Sequence, residues 1–257
     1  MKALSWLVAI VGWLCSMPAY AGAPLVAAAS DLRYALPEIA TAFQEQTRQS
    51  VRLVFGSSGN FRQQIAHGAP FELFFSADEE LALALAKDGH AIDEGALYAI
   101  GRIVVVVPVE SSITADAELK DVAAALLDGR LTRFAIANPE HAPYGRRAKE
   151  VLIRAGLWDR MQNQLVLGEN VSQAAQFALS GSTQGGIIAY SLALSPEISA
   201  RASYALIPSD WHQPLRQRMV LLKNASDAAR AFYRFVQTPS AQAILRRHGF
   251  SVPQETK

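Results

Sequence analysis

The stretch FGSSGNFRQQIAHGAPFELFFSADE, residues 55–79, decides the fold class of this chain. Two serines between two glycines follow a short β-rich run. Phe61 and Ile65 then begin a helical pattern that Gly68 can end. The apolar run 71–75 comes next. A strand, a glycine-rich turn, a helix and a second strand in this order predict an α/β protein with mainly parallel sheets.

The same alternation continues along the chain. Pro37 lies inside one helical pattern, where it removes a backbone hydrogen bond. We therefore predict a short turn after Ser30 and a longer helix that begins near Pro37. Further helices are predicted over residues 79–87, 119–127, 145–155, 171–179, 228–236 and 240–247, and strands over residues 25–28, 51–55, 71–75, 100–108, 133–137, 165–167, 186–190 and 219–222.

Two such βα segments, each of roughly a hundred residues, predict two lobes rather than one large sheet. We place the first part of lobe I at residues 22–103 and lobe II at residues 104–208. Residues 209–257 are expected to return to lobe I. Each lobe should hold a mainly parallel sheet flanked by helices.

The N-terminal residues 1–21 have the layout of a cleavable signal peptide: Lys2, an apolar run and a small-residue site that ends at Ala21. Their removal takes away Cys15, the one cysteine, so we expect neither disulfides nor thiolate metal sites. It also leaves 23 basic residues beside 23 acidic ones, since Lys2 is one of the 24. A secreted chain that does not bind nucleic acid is expected.

Familiar catalytic motifs are missing from the sequence. The five histidines are scattered, and GSSG lacks the spacing of a G-x-S-x-G nucleophile elbow. A secreted hydrolase with a serine nucleophile in GSSG remains an alternative, with His67 as the nearest base in sequence. An adhesion module with an exposed apolar patch is a third possibility.

Small or polar residues recur where predicted strands lead into predicted helices: Ser30, the pair Ser57 and Ser58, Tyr144, and Asn170 or Val171. The N-terminus of a helix has N–H groups without partners and a partial positive charge. Several such ends converging on one cleft would bind an anion without lysine or arginine. Ordinary N-capping by the serines is the alternative.

The motifs AAASDL, NPEHAPYG, ENVSQA and GGIIAYS, together with residues 55–79, make the chain resemble the periplasmic molybdate-binding proteins of ABC transporters. The resemblance implies a two-lobed type II periplasmic binding protein fold. It further implies capture of molybdate or tungstate between the lobes and delivery to a membrane permease. A monomeric periplasmic protein without enzymatic activity or cofactor is expected. Another tetrahedral oxyanion, such as sulfate or phosphate, is the alternative ligand.

Carried over by position, the ligand residues of that family fall on Ser30, Ser58, Tyr144 and Val171. The two serines would offer hydroxyl and backbone donors, and the other two mainly backbone N–H groups. Asp31 occupies a position that is a ligand in one branch of the family. Molybdenum would be held as the oxyanion by these residues, and no free metal cation is implied.

Asp31 is a departure from the pattern, because a carboxylate beside a dianion is electrostatically unfavourable. We expect its backbone N–H to bind while its side chain faces solvent or caps the helix. The alternatives are an ion pair with Arg33, Arg62 or Arg146, or acceptance of a proton from a protonated oxyanion.

Tyr190 is a second departure, since it lies one residue beyond the position of a tyrosine ligand in one branch. A slip of one residue along a strand turns the side chain to the other face. We therefore expect Tyr190 to pack within the strand or at the hinge. In the pair Ser57 and Ser58, we expect Ser58 to be the ligand and Ser57 its structural neighbour.

Overall fold

The computed structural model describes residues 22–253 and contains two five-stranded sheets. The predicted signal peptide, residues 1–21, lies outside the described residues. The first sheet, which we call lobe I together with its helices, consists in spatial order of β2 (Arg52–Gly56), β1 (Leu25–Ala29), β3 (Leu73–Ser76), β10 (Leu215–Leu221) and β4 (Ala96–Gly101).

The second sheet belongs to lobe II and repeats this topology. In spatial order it consists of β7 (Leu165–Gly168), β6 (Phe134–Ala137), β8 (Gly185–Ala189), β5 (Ile103–Pro108) and β9 (Ala202–Leu206). In each sheet the first three strands pair in parallel, and the fourth is antiparallel to both of its neighbours. The predicted fold of two mainly parallel sheets is confirmed, with one antiparallel strand added to each.

Helices flank both sheets. Lobe I has α1 (Ala35–Thr47), α2 (Ser58–Ala66), α3 (Glu79–Lys87), α9 (Asp227–Val236) and α10 (Pro239–Arg247). Lobe II has α4 (Lys120–Asp128), α5 (Pro143–Arg154), α6 (Val171–Ala178), α7 (Tyr190–Ala193) and α8 (Pro196–Ser199). A short 3-10 helix, Ser30–Leu32, precedes α1, as Pro37 predicted. A second 3-10 helix covers Ser209–Trp211.

The chain passes between the lobes at two adjacent segments. The predicted strand 100–108 is wrong as one element, since β4 and β5 belong to different sheets and are separated only at Arg102. Both halves are apolar and strand-like, so periodicity gave no sign of the break. The Arg102 side chain donates to the Ile207 carbonyl at 2.9 Å, and Ile207 N–H donates to Ile103 O at 3.1 Å. These bonds hold the two crossings side by side.

The returning helices are anchored by an aromatic cluster in the core of lobe I. Phe43 of α1 is fully buried, and its ring meets Phe232 and Phe235 of α9 edge-to-face at centroid distances of 5.2 and 5.5 Å. The lobe II core is built around the buried strands β5, β6 and β8. Within residues 22–253, no helix is both long and apolar enough to cross a membrane.

Substitution of Phe43 tests how the C-terminal segment is held. Phe43→Ala should lower the free energy of unfolding by roughly 3–5 kcal/mol, since it leaves a cavity between α1 and α9. Urea denaturation without ligand measures the loss. Leu127→Ala removes a side chain of a residue that is 71% exposed and should change stability by no more than about 0.5 kcal/mol. Equal effects of the two substitutions would contradict this packing.

Candidate ligand-binding site between the lobes

A small cavity lies between the lobes, where strands of both sheets lead into helices. The space is small enough to leave no room for bulk water. The lining residues are Ala29, Ser30, Asp31, Gly56, Ser57, Ser58 and Ala77 from lobe I, and Ala142, Pro143, Tyr144, Asn170 and Val171 from lobe II.

All five residues singled out from the sequence line this cavity: Ser30, Asp31, Ser58, Tyr144 and Val171. The first two follow β1 directly, and the other three lie in the first turns of α2, α5 and α6. Ligand sites of open α/β sheets form where the carboxyl ends of the strands lead into helices, and both sheets present that edge here.

Three helix N-termini therefore face one space. Ser58 is the first residue of α2, Tyr144 the second of α5 and Val171 the first of α6. Backbone N–H groups in a first helical turn have no acceptor within their helix, and the helix dipole adds partial positive charge. Lysine and arginine are absent from the lining among the described residues. The cavity is thus built to attract an anion with neutral donors.

The two serine hydroxyls are oriented by backbone groups of other elements. Ser58 Oγ accepts the N–H of Ala77 at 3.0 Å, and Ser30 Oγ accepts the N–H of Ser172 at 3.3 Å. Neither hydroxyl makes a capping bond to its own helix, so the N-capping alternative does not hold for them. A hydroxyl carries one hydrogen in addition to its lone pairs. Each serine can therefore still donate into the cavity.

The Asp31 side chain contradicts the expectation that it faces solvent or caps a helix. Asp31 is 1% exposed, and its Oδ2 accepts hydrogen bonds from the Tyr144 hydroxyl at 2.9 Å and from Gln217 Nε2 at 2.6 Å. The proposed arginine pairs also fail. Arg62 and Arg146 bond to other carboxylates, and Arg33 is exposed and forms no ion pair with Asp31 in the described part of the chain. The reason is the contact between the lobes, because α5 covers this carboxylate and supplies a phenol donor from lobe II.

Gln217 extends this contact into a buried hydrogen-bond chain. It lies where the register of β10 against β4 shifts, and such an irregularity re-aims a side chain. Its Oε1 accepts from the Tyr98 hydroxyl at 2.7 Å, and its Nε2 lies 3.1 Å from the Tyr144 hydroxyl oxygen. Gly101 makes room for the chain, since a Cβ there would lie 2.3 Å from that phenol oxygen.

Burial sets the protonation of these groups. It raises the pKa of the Asp31 carboxyl to about 6, and the hydrogen bonds from Gln217, Tyr144 and the backbone N–H groups of Asp31 and Leu32 offset only part of this rise. Burial also raises the pKa of the Tyr144 and Tyr98 phenols well above their ordinary value. Both phenols stay protonated, so Tyr144 is the donor in its bond with Asp31.

A second set of contacts joins the lobes at the start of α2. The His141 carbonyl oxygen accepts from the Gly59 N–H at 3.0 Å and from the Ser57 hydroxyl at 2.7 Å. Asn60 donates to Glu169 beside them. A Cβ on Gly59 would lie 2.3 Å from the His141 oxygen, so this approach needs glycine. We call these five residues the α2 contact.

The α2 contact also places a hydroxyl next to an imidazole. Ser57 Oγ lies 3.0 Å from His141 Nδ1. Because the Ser57 hydroxyl donates to the carbonyl of His141, Nδ1 is the donor toward this oxygen and cannot act as its base. Ser57 is also only 4% exposed. The geometry favours a structural contact over a nucleophile.

Tyr190 lies outside the cavity lining. The prediction that it ends a strand is wrong, because the pairing of β8 with β5 stops at Ala189 and Tyr190 begins α7. Its ring packs against Tyr204, with the centroids 5.6 Å apart. We expected Tyr190 to pack within a strand or at the hinge. It does have a packing contact, but at the start of a helix and not within a strand.

Gln217 and His141 were not identified from the sequence as parts of the site. Leu215, Gln217 and Met219 alternate on the buried face of β10, and a polar residue in that register is a usable signal. His141 acts through its backbone oxygen, for which its residue type gives no sign.

The fold and the interlobe cavity define a two-lobed binding protein of the periplasmic type. Residues 24–251 match the family model of bacterial extracellular solute-binding proteins, and the chain belongs to this family. The resemblance identified from the sequence is confirmed by its relatives.

The molybdate-binding protein ModA of Rhodobacter capsulatus is 36% identical over 238 residues, which cover 91% of this chain and 90% of that protein. ModA of Escherichia coli K12 is 32% identical over 231 residues, or 88% of each chain. The solved periplasmic molybdate-binding protein of Azotobacter vinelandii superposes with a TM-score of 0.81 at 30% identity, covering 90% of this chain and 100% of that one.

The close approach at Gly59 predicts a variant that folds but does not close. In Gly59→Ala the new Cβ meets the backbone of the opposite lobe, which cannot move aside within the closed form. We expect an unchanged circular dichroism spectrum and a larger radius of gyration than wild type in 1 mM molybdate, measured by small-angle scattering.

Gln64→Ala, an exposed substitution on the same helix, is the matched control and should scatter like wild type. Equal radii of gyration for Gly59→Ala and wild type would show that closure does not need the Gly59 contact.

Proposed function

We propose that this chain is a periplasmic binding protein that captures molybdate or tungstate between its lobes and delivers the anion to the permease of an ABC transporter. One observation carries the proposal: three helix N-termini and two serine hydroxyls converge on a small cavity between the lobes that has no cationic side chain in its lining. The names of its relatives support the choice of anion.

The proposed ligands are the residues predicted from the sequence. Ser30 and Ser58 donate through hydroxyl and backbone, Tyr144 and Val171 donate through backbone N–H groups, and Asp31 completes the lining. A hydrogen bond to a charged group contributes about 1.5–3 kcal/mol, so several together support micromolar or tighter binding, about 8 kcal/mol. No cofactor is required, and molybdenum is held only as its oxyanion.

Selectivity follows from the size of the cavity and from its donors. A smaller tetrahedral anion such as sulfate cannot reach every donor, and each buried unpaired group costs about 1–3 kcal/mol. Molybdate and tungstate have nearly the same size and charge, so the site should hardly distinguish them.

We further propose that the protein is a monomer and has no enzymatic activity. Binding and release need only the movement of two lobes joined at Arg102 and at the segment between β9 and β10. The serine hydrolase alternative gains an imidazole beside Ser57, but the direction of their hydrogen bonds opposes it.

An anion panel tests the ligand class. A ligand at 100 times its dissociation constant stabilises the native state by about 2.7 kcal/mol, which should raise the melting temperature by roughly 5–10 °C. We expect this rise with 1 mM molybdate or tungstate and little change with sulfate or phosphate. A rise in melting temperature with sulfate or phosphate alone would make that anion the ligand in place of molybdate. An unchanged melting temperature with all of these anions would refute oxyanion binding.

Ser58→Ala tests whether the Ser58 hydroxyl binds the anion. Loss of one donor to a charged ligand should weaken molybdate binding roughly 10- to 100-fold by isothermal titration calorimetry. Ser50→Ala, an exposed substitution away from the cavity, is the control and should bind like wild type. Unchanged affinity in Ser58→Ala would remove Ser58 from the ligand set.

A further inference from the structure

The two oxygens of the Asp31 carboxyl have unequal surroundings. Oδ2 accepts from both Tyr144 and Gln217, whereas Oδ1 is buried and accepts no hydrogen bond of ordinary geometry among the described residues. The backbone N–H groups of Asp31 and Leu32 lie near the carboxyl group and offset only part of the cost of its burial. Asp31 lines the cavity at the start of the 3-10 turn that follows β1. A buried polar atom without a partner is rare in native proteins and asks for a physical explanation.

A bound dianion makes it still less favourable for Oδ1 to remain without a hydrogen-bond donor. Two anionic oxygens in an enclosed space repel each other and cannot hydrogen-bond without a hydrogen between them. One proton resolves this, because a protonated carboxyl oxygen donates a short, strong hydrogen bond to an anionic oxygen.

We propose that the site binds its oxyanion together with one proton, which lies between Asp31 Oδ1 and an oxygen of the anion. The inference rests on the proposed function and deepens it: the bound species is the tetrahedral dianion plus a proton taken from solvent. No bond within the anion changes, and on release the proton returns to water.

The side chains that surround Asp31 come from four elements. Tyr144 of α5 and Gln217 of β10 donate to Oδ2, and Tyr98 of β4 lies behind Gln217. Ser191 of α7 bonds to the Asp31 backbone oxygen. All four side chains are neutral at physiological pH, so none supplies the compensating positive charge.

The ionised side chains beside the cavity are engaged elsewhere. Arg146, two residues after Tyr144, lies 3.4 Å from Asp78, one residue after Ala77. Arg147 lies 4.0 Å from the same carboxylate. A proton on Asp31 is therefore the available compensation.

The direction of the pH dependence follows from burial. Burial already raises the pKa of Asp31 to about 6, and a neighbouring dianion raises it further. Between these two values the free protein is ionised at Asp31 and the complex is protonated. Affinity should fall as pH rises through this window, by at most roughly tenfold per pH unit for one linked proton.

Asparagine is the informative replacement at this position. In Asp31→Asn the amide oxygen can accept from Tyr144 and Gln217, while the amide N–H₂ stands where Oδ1 and its proton stood. The variant donates to the anion without titrating. It should bind molybdate with an affinity that is independent of pH.

The experiment is calorimetry with sodium molybdate at pH 7.5 in two buffers of different ionisation enthalpy, followed by affinity measurements from pH 6 to 8.5. We expect wild type to take up close to one proton per molybdate and to bind less tightly as pH rises. Asp31→Asn should take up none and show a flat profile. Asp88→Asn, which removes an exposed carboxylate, should keep the proton uptake of wild type.

The possible failures are distinct. Wild-type binding without proton uptake and with a flat pH profile overturns the inference and leaves the proposed function intact. Absence of molybdate binding by wild type overturns the proposed function itself. Since the wild-type titrations alone decide between these outcomes, the test holds even if Asp31→Asn does not fold. Proton uptake that persists in Asp31→Asn would assign the proton to another group and refute the role of Asp31.

Discussion

The structure depends on one constraint: backbone N–H groups at the start of a helix need acceptors from outside that helix. Two sheets of the same topology face each other along the edge where strands lead into helices, so α2, α5 and α6 direct these groups into one space. The consequence is a cavity that presents backbone N–H donors and has no cationic side chain in its lining. Small residues follow from the same constraint, because the lobes meet backbone to backbone, as Gly59 and His141 do.

Two contacts of different character hold the lobes together around the cavity. The α2 contact rests mainly on backbone groups and on the absence of a side chain at Gly59. The Asp31 contact rests on a buried carboxylate that receives a phenol from α5 and an amide from β10. Burial of a carboxylate is unfavourable unless it is compensated. The closed form of the free protein therefore carries an energetic penalty, and the proton taken up from solvent when the ligand binds removes it. Ligand binding and closure are coupled through this balance.

The sequence predicted much of the fold, because each strand-to-helix junction has a local signature. The glycine and serine turn before α2, Pro37 in the first turn of α1 and the apolar strands all act within a few residues. The features that could not be predicted depend on contacts between residues that are far apart in the sequence. The strand break at Arg102 lies beside the lobe boundary predicted at residues 103 and 104, but the two apolar strands look continuous, and only pairing within different sheets divides them. Tyr190 begins a helix although its N–H still bonds to the carbonyl oxygen of Arg102, just before β5, so the end of the strand could not be placed from the sequence.

The candidate site shows the same division between local and distant causes. Ser30, Ser58, Tyr144 and Val171 could be found because predicted helix starts marked their neighbourhoods and the family resemblance selected the individual residues. The Asp31 side chain could not be placed, since its partners lie 113 and 186 residues away. Gln217 reaches it through an irregularity in β10 and through the space left by Gly101. A polar residue on the buried face of a strand thus indicates a polar partner far away in the sequence, although its neighbours in sequence do not show which residue that partner is. In this protein, that partner is the one ionisable carboxyl group in the cavity lining, among the residues that the structure describes.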